Sequence, residues 1–108
     1  MITSNDEKIR FIHKYFKESV KNKEKFKHIE DMPFMIRNNG FFNTLIYLEN
    51  KEKIILEMLG DYYKVISKKD TLLIDVFNMH KELNREYLMY THEFYEFACQ
   101  LKIYFKTM

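Results

Sequence analysis

One proline, two glycines, one cysteine and no tryptophan punctuate a chain of 108 residues. So few chain-breakers leave little room for the turns that an all-β fold requires. A single cysteine, Cys99, excludes an intrachain disulfide framework and a thiolate metal cluster. No apolar run approaches the ~20 residues that cross a bilayer as a helix. Met1-Ile2-Thr3-Ser4-Asn5-Asp6-Glu7 places no apolar stretch behind a basic one, so the sequence predicts no signal peptide and a cytoplasmic location. A glycine-rich phosphate loop, a paired-histidine zinc helix and a nucleophile elbow are all missing.

What the chain does hold is apolar and aromatic mass. Hydrophobic residues make up 46% and aromatics 17%, with ten Phe and eight Tyr, which is enough to build a core and to exclude disorder. The length suits one domain over residues 1–108. Net charge is only +2, yet it is unevenly placed. Residues 1–28 carry eight Lys/Arg against four Asp/Glu, and residues 29–108 carry ten against twelve, so the basic pole is N-terminal.

Helical periodicity runs through the chain and predicts an all-α bundle of five or six helices. Ser4-Asn5-Asp6-Glu7 matches a capping box, a hydroxyl with Glu three residues on. Ile9, Ile12, Phe16 and Val20 follow as one apolar stripe. Asn22-Lys23-Glu24-Lys25 marks the expected end of that helix. Pro33 suits a first helical turn, and Asn39-Gly40 reads as a helix stop before Phe41, Phe42, Leu45, Ile46 and Leu48. Asn50 is placed to cap the next helix, whose apolar face is Ile55, Met58, Leu59, Tyr62 and Ile66. Gly60 interrupts that face as either a close-packing point or a kink. Asp70 is placed to cap a short helix with Leu72, Leu73, Val76 and Phe77, which as a lone strand would have no partner. Asn84 opens a long last helix with a nearly heptad-like aromatic repeat from Tyr87 to Phe105.

Chemistry is sparse. His80 with Glu82, or His92 with Glu96, offers an acid–base pair, but residues two apart on a helix do not face each other, and an i, i+4 pair is an ordinary surface contact. Cys99 sits in an aromatic helix as a small hydrophobe, with acidic neighbours that do not activate a thiol. Binding is the better-supported class. Arg10, Lys14, Lys17 and Lys21 fall within one narrow sector of the first helix, a spacing that suits successive phosphates and equally a solvated face. Arg37 and Asn38 stand at the Asn-Gly corner, where they can reach a sugar–phosphate backbone or simply end a helix. The aromatics lie mostly on helical core stripes, so a base-stacking platform is the lesser reading, with Tyr62, Tyr63 and Tyr47 as its best candidates. The apolar Phe41–Leu48 helix is unsuited to a major groove, which disfavours a helix-turn-helix DNA reader.

Met32 to Leu48 resembles the signature of a known family, the small subunit of type III-B CRISPR effectors, fifth protein of the Cmr complex. That family shows a proline, then Asn-Gly, then a Thr-Leu-x-x-Leu-like helix, here Pro33, Asn39-Gly40 and Thr44-Leu45-Ile46-Tyr47-Leu48. Tyr87, Thr91, Glu93, Leu101 and Lys102 stand in the spacing of its last helix, with departures at Leu88, Gln100 and Ile103. The resemblance implies a noncatalytic subunit without a cofactor and away from membranes. It implies copies stacking into a filament beside the backbone subunits, next to other Cmr subunits, and steadying a guide RNA–target RNA duplex. On this reading Arg10, Lys14, Lys17, Lys21, Arg37 and Asn38 are the RNA-binding candidates. The alternative is a helical protein-interaction adaptor or regulator with no nucleic-acid contact.

Overall fold

Ser4 and Glu7 begin the first helix by exchanging hydrogen bonds. Glu7 N–H donates to Ser4 Oγ at 3.1 Å, and Ser4 N–H donates to Glu7 Oε1 at 3.2 Å, the capping box expected from the sequence. The computed structural model describes residues 2–18, 23–82 and 84–107. In it helix α1 runs Asn5–Glu18, and a 3-10 stretch follows over Lys23–Asp31, broken at Phe26 by non-helical angles. Val20, Lys21 and Asn22 lie outside the described residues.

Pro33 occupies the first turn of α2 (Met32–Asn39), where its missing N–H costs nothing. Gly40 then separates α2 from α3 (Phe41–Lys51) with φ 87° and ψ 158°. The φ is positive as the Asn-Gly stop requires, but the extended ψ puts Gly40 in a region essentially reserved for glycine. Its N–H still closes α2 by donating to Ile36 O at 3.1 Å. An added Cβ would meet only Tyr87 Oη at 3.6 Å, so the demand for glycine is backbone strain and not space. Gly40→Ala is therefore expected to destabilise the fold by about 1–3 kcal/mol, read as a lower midpoint in denaturant with an unchanged slope.

Two helix boundaries differ from expectation. Asn50 is the penultimate residue of α3, its Nδ2 donating to Ile46 O at 3.0 Å, and the break falls at Glu52 (φ −143°, ψ 63°). Once the side chain of Asn50 has a carbonyl one turn back, the helix continues past it. Helix α4 spans Lys53–Ser67 and α5 spans Leu72–Lys81, with Thr71 and not Asp70 at the α5 cap position. Asn84 does cap the last helix, α6 (Arg85–Lys106), accepting from Glu86 N–H at 2.8 Å.

Gly60 lies within α4, which runs through it as one helix, and an added Cβ would meet nothing within 4 Å beyond the helix's own backbone. Close packing is thus ruled out as its reason. Gly60→Ala is expected to stabilise the protein by about 0.5–1 kcal/mol, raising the melting temperature by a few degrees.

Helix α6 is the spine against which α1, the 3-10 stretch, α2 and α5 pack, while α3 rests on α2, α4 and α5. Its buried residues Phe94, Phe97, Ala98 and Leu101 follow the expected repeat. Tyr62 stacks on Phe97 at 3.9 Å between ring centroids and Phe41 on Phe94 at 4.8 Å. The α1 stripe is displaced from expectation. Ile12 and Phe16 are buried, but Ile9 is 39% exposed and Lys8 is wholly buried in its stead.

The reason is a polar knot on α6. Glu93, fully buried, accepts from the N–H of Ile2 at 2.9 Å, the N–H of Thr3 at 3.2 Å and Thr3 Oγ1 at 2.6 Å. Tyr62 Oη also donates to it. Lys8 Nζ lies 3.4 Å from the same carboxylate and donates to Thr3 O at 2.8 Å. Burial pushes the Glu93 carboxyl upward, but the hydrogen bonds from Thr3, Tyr62 and Ile2 outweigh it and hold the group below its ordinary range. Burial, with the bond to Glu93, drives the Tyr62 phenol upward, so it stays a donor.

Candidate nucleic-acid interface

Arg10, Lys14 and Lys17 are all exposed, at three- and four-residue steps along the solvent side of α1. The core takes the opposite side through Lys8, Ile12 and Phe16. Lys21 lies outside the described residues. Arg37 and Asn38 are exposed on the last turn of α2. Arg37 is held in place: Nη2 donates to Tyr95 Oη at 2.7 Å, and the guanidinium carbon stands 5.1 Å from the Tyr95 ring centroid.

These two groups do not form one cluster. They sit on two helices that both rest on α6, and the grooves they make with it share one outward stripe of that helix. Along that stripe Leu88, His92, Tyr95, Cys99 and Ile103 follow one another at three- and four-residue steps. Between α2 and α6 lies a groove of about 490 Å3, lined by Ile36, Arg37, Leu88, Thr91, His92, Tyr95 and Glu96. Between α1 and α6 lies a smaller one of about 130 Å3, whose walls include Ile9, His13, Ile103 and Tyr104. Arg37 lines the α2–α6 groove, whereas Arg10, Lys14 and Lys17 line neither groove.

Tyr62 and Tyr63 do not serve as a stacking platform, because both are buried at 1% and 0% exposure. Aromatic side chains at helical spacing went to the core, Tyr62 into the Glu93 knot and Tyr63 onto Asp75 Oδ2 at 2.6 Å. Tyr47 is 41% exposed. Sequence reasoning missed Tyr95, whose signal was its position seven residues after Leu88 on the outward stripe. Cys99 is half-buried on that same stripe, so it is not the core hydrophobe expected.

The histidines supply no constellation. His92 Nε2 lies 4.0 Å from Glu96 Oε1 on the surface, the i, i+4 pair expected, and His80 stacks on Phe42 at 5.2 Å. His28 pairs with Glu52, tying the 3-10 stretch to the break between α3 and α4. Among the described residues no three His, Cys, Asp or Glu side chains are grouped to hold a metal ion. Among them, too, no helix is long and apolar enough to cross a membrane. An all-helical body with an exposed basic row on α1 and an anchored arginine on α2 is suited to holding a polyanion's backbone.

Residues 7–108 match the family model described as CRISPR-associated protein (Cas_Cmr5). The chain belongs to the Cas_Cmr5 family. It is therefore a subunit of the type III-B CRISPR Cmr complex and an associate of other Cmr subunits. No curated protein and no solved structure matches the chain. The Cas_Cmr5 match takes in α2, the Gly40 corner, α3 and all of α6, the elements in which the sequence signature lies. It also takes in Arg10, Lys14, Lys17, Lys21, Arg37 and Asn38. Ile2 and Thr3, which close the Glu93 knot, precede it.

Proposed function

We propose that this Cas_Cmr5 protein is a noncatalytic small subunit that steadies the guide RNA–target RNA duplex through contacts to the RNA backbone. Copies of the chain stack into a filament alongside the backbone subunits, in the cytoplasm. The observation that carries the reading is the exposed row Arg10, Lys14 and Lys17, continued in sequence by Lys21, with Arg37 exposed on α2 and tied to Tyr95 of α6. Such contacts position RNA without reading it, which suits an assembly whose specificity comes from base pairing. Asn38, beside Arg37 at the exposed end of α2, adds a neutral donor and acceptor for ribose hydroxyls.

The test is a Cmr complex assembled with a variant carrying alanine at positions 10, 14, 17 and 37. Assembly is expected to proceed and target-RNA retention to fall, for all target sequences alike. Retention equal to that of the unaltered complex would assign the row to solvent.

A further inference from the structure

Contacts to the backbone alone need charge, not a concave site, yet a groove lies beside Arg37. We infer that the groove between α2 and α6 receives one unpaired nucleobase of a bound RNA, with Arg37 set at its edge by Tyr95. This rests on the RNA-facing reading above and deepens it from backbone contact to base contact. Three observations carry it.

The first is shape and lining. At about 490 Å3 the groove falls within the range of sites for small organic groups. Ile36 and Leu88 supply apolar wall, and Arg37, His92 and Glu96 supply a few polar atoms. That mixture fits a flat heterocycle, whose faces are apolar and whose edges donate and accept hydrogen bonds.

The second is preorganisation. An exposed arginine ordinarily loses much side-chain freedom when it engages a ligand. Here the 2.7 Å hydrogen bond to Tyr95 and the ring beneath the guanidinium already restrict Arg37. A planar guanidinium is itself a surface on which unpaired RNA bases stack. The third is charge. Arg37 stands opposite a single acidic group in the groove, Glu96, and the exposed row of Arg10, Lys14 and Lys17 on α1 adds cationic surface elsewhere on the same body. A polyanion with protruding bases complements both features together.

The experiment compares the full chain's affinity for a short single-stranded oligoadenylate and for an abasic ribose-phosphate oligomer of equal length. The unaltered protein is expected to prefer the base-bearing strand by about tenfold, the scale of one stacked base. Leu88→Asp and Arg37→Gln should abolish that preference while the α1 row keeps binding salt-dependent. Leu88 is 69% exposed, so the first variant is expected to melt as the parent does. Equal affinity for the two strands, or a preference that survives Leu88→Asp, would overturn the inference and leave the backbone reading standing. Absence of binding to either strand at low salt would overturn both.

Discussion

Replacing Glu93 with alanine is expected to lower the unfolding free energy by about 3–5 kcal/mol, a large share of the stability of a domain this small. The carboxylate is fully buried, as is Lys8, and removal takes away the carboxylate that stands 3.4 Å from the buried Lys8 ammonium. The N–H groups of Ile2 and Thr3 and the hydroxyls of Thr3 and Tyr62 lose their acceptor at the same time. For a chain of this size such a loss lowers the melting temperature by more than about 10 °C. The pH dependence has a defined sign. Glu93 titrates below its ordinary range in the folded state, so its contribution is complete above the unfolded carboxyl pKa and is lost as pH falls through the folded value. Stability of the parent should therefore decline at acid pH more steeply than that of Glu93→Gln, measured by urea unfolding across the acid range. Equal slopes in parent and variant would show that the knot contributes nothing to acid sensitivity.

Alanine at Arg10, Lys14, Lys17 and Arg37 is expected to flatten the logarithmic salt dependence of single-stranded RNA binding by about 3, at about 0.7 for each phosphate that is no longer neutralised. These side chains are exposed, and Arg37 alone of the four reaches another helix, through its hydrogen bond to Tyr95. Folding should thus change little, which separates this variant from Glu93→Ala. The weakening should be uniform across RNA sequences, because phosphates carry no base information. A fluorescence-anisotropy titration at several salt concentrations measures both slope and uniformity. An unchanged slope would place the basic row outside the interface.

Much of the architecture was legible in local chemistry. Ser4 with Glu7, Pro33, Gly40 and Asn84 each marked a helix end that the structure keeps, because each solves an orphaned backbone group or a forbidden φ by itself. Asn50 and Asp70 failed as caps, since short polar side chains are equally satisfied one turn inside a helix or in solvent. The Glu93 knot left a signal that hydrophobic periodicity alone discards. Lys8 stands four residues before Ile12 and Glu93 four before Phe97, so each charge occupies a core position of its helix. Opposite charges at core positions of two packed helices indicate a buried pair.

The candidate interface was less legible. The α1 row followed from helical rotation, but the exposure of Ile9 depended on Lys8 taking the inward position. Arg37 was named as a corner residue, whereas its defining partner, Tyr95, lies 58 residues away on α6. Tertiary pairing of that kind has no local pattern. Two of the three aromatic candidates failed for the converse reason: Tyr62 and Tyr63 have the helical spacing of a core, and the core claimed them, while Tyr47 stays exposed.

The most direct test of the central claim is purification of the tagged chain from its native host, with sequencing of the retained RNA and mass spectrometry of the retained proteins. Co-purification of short guide RNAs sharing a repeat-derived tag, together with Cmr backbone subunits, is the predicted result. Recovery of a defined protein partner in stoichiometric amount with no RNA would contradict it.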